Sequence, residues 1–178
     1  MTHFRSPARA LVATALLAVL SFSDALAASV GQQLSNTEIR DANDQPAKIP
    51  DFGTKVLALF YTDPDVSDMN DPFADKLKAA NLDKTVYRGV GIADLKDTWL
   101  PNSVIRAIVR KKIEKYDATI LTDPDHLLTS AWQLGSCDGS SMVIIVDKTG
   151  HLRFFKNGPM SPAEMESTFN LVLQLMKE

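Results

Sequence analysis

Met142-Val-Ile-Ile-Val146, Asp147-Lys-Thr-Gly150, Leu152-Arg-Phe-Phe155 and Ser161-Pro-Ala-Glu164 decide the fold of this chain. The first segment is an unbroken apolar run bounded by turn residues, the pattern of a strand buried on both faces. The second is a turn that sends the chain back into a partner strand at 152–155, so the two runs form a hairpin. The fourth is a capping box with proline at the first helical position. It opens a closing helix in which Met165, Phe169, Leu171, Val172, Leu175 and Met176 are available for packing. The chain therefore ends β-β-α.

Upstream, Lys55-Val-Leu-Ala-Leu-Phe-Tyr61 is a second strand of the doubly buried kind. Asp71-Pro72 supplies an N-cap and a first-turn proline for a helix near 72–80. Thr85 to Ile92 is β-rich, and Pro101 to Lys115 reads as a helix. Its Val104, Ile105, Ile108, Val109 and Ile113 share one face, while Arg106, Arg110, Lys111, Lys112 and Lys115 lie largely off it as a solvated basic face. Ala118 to Thr122 is a short strand. Residues 29–53 are polar and turn-rich with scattered Val30, Leu34, Ile39 and Ile49, and they read as a peripheral arm or hairpin. Strand–helix alternation followed by a hairpin and a helix predicts an α/β sandwich around a central, mostly parallel sheet. No repeat or linker interrupts 28–178, which is expected to be a single domain.

The N-terminus has the parts of a cleavable export signal. Arg5 and Arg9 precede an apolar run from Ala10 to Leu20, and Ala25-Leu26-Ala27 offers small residues to a signal peptidase. The run is about half the ~20 residues that a membrane span needs. Cleavage after residue 27 removes two positive charges and one negative, taking the net charge from −3 to −4. An exported, net-negative domain is a poor binder of nucleic acid. Only one cysteine, Cys137, is present, so no internal disulfide can form even in a compartment that permits one.

Several segments carry a family resemblance. Val56–Tyr61 leading into a loop and helix resembles the first strand–helix unit of thioredoxin-fold proteins. Leu121-Thr-Asp-Pro-Asp125 with Ala131-Trp-Gln-Leu134 resembles the middle of peroxiredoxin-like domains. Ala131–Leu134, then Ser141–Gly150, Lys156-Asn-Gly158 and the Ser-Pro-x-Glu helix start together resemble the YtfJ-like family of periplasmic proteins. The resemblance implies a periplasmic address and a thioredoxin-like three-layer fold with a central mixed, mostly parallel sheet. It brings no settled activity with it. Thioredoxins carry Cys-x-x-Cys in the loop after the first strand, where a helix N-terminus lowers the thiol pKa. Here that loop, Thr62 to Asp71, holds no sulfur nucleophile, and Ser141 stands where thioredoxins place a cis-proline. Ordinary thiol–disulfide exchange is therefore not expected.

Four aspartates fall within nine residues of that loop, Asp63, Asp65, Asp68 and Asp71. Asp63, Asp65 and Ser67 start like an EF-hand loop, and carboxylates of this kind suit calcium. The pattern then fails, because Asp68 stands where glycine is needed and Ala74 where glutamate is. Asp71 or Asp68 capping a helix, with the others solvated, accounts for the loop more simply. His126 after Asp123-Pro-Asp125 suggests a carboxylate–histidine pair, though Asp123 capping a short helix explains the same residues. His151 is expected to be exposed. Cys137 sits in a flexible loop beside Asp138, with no basic neighbour, so its thiol pKa should rise. The reading that follows is a redox-inactive binding protein whose ligand, a periplasmic protein, a peptide or a small molecule, meets Asp63, Asp65, Ser67, Asp68, Trp132 and Ser141. The alternatives are a single-cysteine oxidoreductase acting through Cys137, and a calcium-binding protein using Asp63, Asp65 and Asp68. No other cofactor is indicated.

Overall fold

The computed structural model describes residues 28–178, and the expected export signal at 1–27 lies outside them. One sheet contains β1 (Ile39–Arg40), β2 (Pro46–Ala47), β3 (Val56–Thr62), β4 (Tyr87–Asp94), β5 (Ile120–Asp123), β6 (Ser141–Val146) and β7 (Leu152–Asn157). The strand order is β2-β1-β5-β4-β3-β6-β7. The helices are α1 (Asp71–Ala79), α2 (Asn102–Tyr116), α3 (Leu127–Trp132) and α4 (Pro162–Lys177). Parallel pairing is confined to the centre, β3 with β4 and β4 with β5, and the flanking pairs are antiparallel. Connection length explains the two parallel pairs and the two hairpin pairs, β1–β2 and β6–β7. The helices α1 and α2 carry the chain back across the sheet between parallel strands, whereas tight turns permit only antiparallel partners.

Register assigns the two faces. Ala58, Phe60, Gly89, Gly91, Ala93 and Ile120 point one way, and Leu57, Leu59, Tyr61, Val90, Ile92 and Leu121 the other. On the first face α1 and α4 bury Phe73, Leu77, Val172 and Leu175 against Val56, Ala58, Val143 and Ile145. On the same face α2 sets Ile105 and Val109 over Ala93 and Ile120. The second face packs Leu128 and Trp132 of α3 against Leu57, Leu59, Tyr61, Met142 and Ile144. The result is a three-layer α/β sandwich. Among the described residues no helix is long and apolar enough to cross a membrane.

Three local expectations change. β4 starts at Tyr87 instead of Thr85, because the Asp83 carboxylate takes the Thr85 backbone N–H at 2.8 Å and its hydroxyl at 2.7 Å, holding a turn. The apolar face of α2 is narrower than its sequence suggests. Ile105 and Val109 are buried, but Val104 and Ile108 stay 43% and 44% exposed. The N-terminal arm does form a hairpin, β1–β2, yet it is not peripheral. Leu34, Ile39 and Ile49 are buried in the largest core cluster, on the face that the short α3 covers only in part. Asn36 binds both backbone groups of Ile49, at 2.9 and 3.0 Å. Two residues of the supposedly solvated basic face hold the hairpin from α2: Arg106 pairs with Asp44 at 2.6 Å, and Arg110 donates to Ala42 O at 2.7 Å.

Candidate functional site

The loop after β3 is organised by backbone capping. Asp63 is buried, and its carboxylate accepts the Asp65 N–H at 2.9 Å and the Gly139 N–H at 2.8 Å, one on each oxygen. A short 3-10 turn, Pro64–Val66, follows. Neither Asp68 nor Asp71 caps α1. The N-cap is Asn70, whose side chain instead ties two distant segments together. Its Nδ2 donates to Ser141 O and Gly158 O, both at 3.2 Å, and its Oδ1 accepts from Met160 N at 3.1 Å. Asp65, Ser67 and Asp68 are exposed. Among the described residues Asp63, Asp65 and Asp68 do not converge into a cation-sized group of ligand atoms.

The loop containing Cys137 meets this edge as expected, through the Gly139–Asp63 bond and an Asp63 N–H donated to Ser140 O at 3.0 Å. The thiol itself is sealed. Cys137 is 0% exposed, and Sγ donates to Ser140 O at 3.2 Å and Tyr61 O at 3.4 Å. Burial pushes its pKa up to about 12, opposed by the Asp63 backbone N–H, while the Asp94 and Asp63 carboxylates add to the rise. The direction matches the sequence expectation, but the main cause is burial and not the adjacent Asp138. Trp132, expected at the binding edge, is a core residue instead. It is fully buried, donates Nε1 to Ser35 O at 2.8 Å and packs beside Phe52. Ser141 is also buried, its hydroxyl 2.8 Å from Thr62 Oγ1.

On the first face, a groove of about 1280 Å³ opens between α1 and α2 over β4. Its floor is bare because β4 places Gly89 and Gly91 there, and an added side chain at Gly91 would meet Ile120 at 3.4 Å. Ile108, Lys112 and Tyr116 of α2 form one wall, with Ala74, Leu77 and Lys78 of α1 opposite. At its far end the groove reaches Thr62, Pro64, Ser67, Asn70 and Ser141. The structure thus brings part of the expected binding edge together with a cleft that sequence periodicity did not reveal. The unassigned signal was Gly-x-Gly within a strand, at 89 and 91.

A second polar group lies at the opposite face, where parallel strands β4 and β5 end side by side. Asp94 and Asp123 are register partners and both are 0% exposed. Asp123 caps α3 from before its first residue, accepting Leu127 N and Leu128 N at 2.9 Å each, and it accepts the Tyr61 hydroxyl at 3.2 Å. The expected capping by the Asp123 carboxylate therefore holds, although the N-cap position itself is His126. Burial beside Asp123 and Asp94 raises the Tyr61 phenol pKa. His126, however, pairs with Asp94 and Asp97, not with its neighbour Asp125. Its Nε2 is 3.1 Å from both Asp94 oxygens and 3.2 Å from Asp97 Oδ2. Burial holds the Asp94 carboxyl above the ordinary range, opposed by the Lys96 N–H and by His126. Sequence reasoning missed Asp94 and Asp97 because they stand about 30 residues from His126; only the parallel β4–β5 register brings them together. His151 is half-exposed and 2.8 Å from Thr149 Oγ1.

Comparison with known proteins agrees with this architecture. The family described as "Bacterial protein of unknown function (YtfJ_HI0045)" matches residues 35–175. An uncharacterized protein of Haemophilus influenzae is 26% identical over 110 residues, covering 61% of this chain and 59% of that protein. The uncharacterized protein YtfJ of Escherichia coli is 26% identical over 111 residues, with the same two coverages of 61% and 59%. The chain thus spans about 59% of the length of these curated relatives. Among solved structures, a putative thiol:disulfide interchange protein DsbE from Chlorobium tepidum superposes with TM-score 0.60 at 15% identity, over 84% of this chain and 99% of that one. A putative protein disulfide isomerase from Bacteroides thetaiotaomicron gives 0.61 at 17%, over 85% and 92%. A peroxiredoxin-like protein from Aquifex aeolicus gives 0.59 at 12%, over 84% and 89%. At such identities the likeness carries the fold alone, and that fold is thioredoxin-like.

Proposed function

We propose that this chain, which belongs to the YtfJ family of bacterial proteins of unknown function, is an exported periplasmic protein that acts by binding and not by thiol chemistry. Its ligand, another exported protein, a peptide or a small molecule, enters the groove between α1 and α2 and meets the loop at 62–71. One observation carries the reading. The only thiol is buried, hydrogen-bonded to two carbonyls and held at a pKa of about 12, so the open surface nearby offers a ligand only apolar walls, hydroxyls, amides and charges. The groove exceeds the ~300–1,000 Å³ common for small-molecule sites and suits an extended segment at least as well. Export to the periplasm rests on the composition of residues 1–27.

The test joins activity with capture. Purified protein is assayed for insulin-disulfide reduction and for peroxide consumption, with Cys137→Ser alongside. A photo-crosslinking residue is placed at Ile108 in cells, with and without Gly89→Trp to fill the groove. We expect no turnover, capture that survives Cys137→Ser, and capture that Gly89→Trp removes. Turnover that disappears with Cys137 would instead establish the single-cysteine oxidoreductase, and a capture profile indifferent to Gly89→Trp would remove the groove from the reading.

A further inference from the structure

We infer that Asp94, Asp97 and His126 form a binding site for a first-row divalent transition cation, at the carboxyl ends of β4 and β5 and on the face opposite the groove. Ligand atoms of the three side chains lie within 4.8 Å of one another, the only such group of three or more among the described residues. The spacings fit a coordination shell. A cation about 2.1 Å from each of two ligands, at tetrahedral or octahedral angles, separates them by about 3.0–3.4 Å. The observed separations from His126 Nε2 are 3.1 Å to Asp94 and 3.2 Å to Asp97.

Hydrogen bonding alone leaves this group incomplete. An imidazole Nε2 carries at most one hydrogen, yet three carboxylate oxygens crowd it. Asp97 Oδ2 is the one left over: it is out of contact with water and, among the described residues, has no hydrogen-bond partner. A carboxylate oxygen shielded from water that receives no hydrogen bond is expensive to keep. A cation satisfies all three side chains at once and neutralises two negative charges, one of them on fully buried Asp94. Access is one-sided, because Asp97 and His126 retain 22% and 27% side-chain exposure while Asp94 closes the base. A bound ion would complete its shell with water from the open side.

The donor set selects the class of ion. One imidazole with two carboxylates suits zinc, manganese or a neighbouring transition ion. Calcium, which takes six to eight oxygen ligands, gains little from an imidazole and from so few carboxylates. The cation reading of this protein thus moves from the acidic loop to residues 94, 97 and 126. It stands independently of the groove.

The experiment titrates tag-free protein with zinc by calorimetry and repeats the titration with manganese and calcium. Zinc is expected to bind once per chain and to raise Tm, with calcium at least tenfold weaker. His126→Gln and Asp97→Asn, both at partly exposed positions and with folding checked by circular dichroism, should each weaken zinc at least tenfold. The pair Asp65→Asn and Asp68→Asn should leave it unchanged. Cobalt in place of zinc provides a second readout, a visible d–d spectrum that His126→Gln alters. Absence of saturable zinc binding, or binding that both His126→Gln and Asp97→Asn leave intact, overturns the site.

Discussion

Single residues in this protein do work that their neighbours in sequence do not announce. Asp123 is the clearest case, because one buried carboxylate receives two backbone N–H groups and a phenol. Removing it orphans all three donors, and two of them, the Leu128 N–H and the Tyr61 hydroxyl, are in buried bonds. Asp123→Ala should therefore lower the unfolding free energy by about 3–5 kcal/mol, from two lost caps of about 1 kcal/mol each and one unsatisfied hydroxyl. Asp123→Asn retains an oxygen acceptor and should lose roughly half as much. Urea midpoints of the two variants decide it, and an alanine variant within about 1 kcal/mol of wild type would deny Asp123 this role. Cys137 teaches the same lesson from the other side. Its sequence neighbours suggested a mobile loop thiol, but packing under β3 decides its chemistry.

Among the elements, α4 has the most explicit boundary. Ser161 N–H donates to Glu164 Oε2 at 2.7 Å, Glu164 N–H donates to Ser161 Oγ at 3.3 Å, and Lys156 lies 2.9 Å from the same carboxylate. The Ser161 backbone bond, followed by Lys156, lowers the Glu164 pKa from 4.5 to about 2. A depressed folded-state value contributes stability above the unfolded pKa and loses it as pH falls through the folded one. Glu164→Gln should accordingly be less stable than wild type at pH 7, and the gap should close between about pH 4.5 and pH 2. Paired denaturation curves across that range give the sign directly. A gap that widens toward acid would mean that the carboxylate is not what holds the helix start. In α2, by contrast, the apolar stripe is wider than its packing partner, and Ile108 is left facing the groove.

At the scale of the whole molecule, the arm at 28–53 and the sheet share one core. Ile49 is 1% exposed and belongs to the same cluster as Leu59. A truly peripheral arm would unfold first and cheaply. Here Ile49→Ala is expected to lower stability by about 2–4 kcal/mol, comparable to Leu59→Ala, with fluorescence and far-UV circular dichroism transitions remaining coincident. A separate early transition for the arm would show that it folds as its own unit. The groove is a property of this same scale. It exists because α1 and α2 stand apart over a strand that supplies glycine where other strands supply side chains.

Local physics made much of this legible. Doubly apolar runs at 55–61 and 142–146, the Asp147–Gly150 turn and the capping box at 161–164 each declare an element from within a few residues, and each was realised. The absence of paired cysteines is likewise a fact of the chain alone. What the residues determined unaided, then, is the order of the elements, the fold that this order permits and the single cysteine of the chain. Tertiary structure decided where the polar side chains meet: Asp94 and Asp97 with His126, Asp63 with Gly139, and the arm with the core. The physical reason is range. Hydrophobic period and capping act over three or four residues, whereas these contacts are set by strand register and helix placement across 30 to 100 residues, which no local pattern encodes.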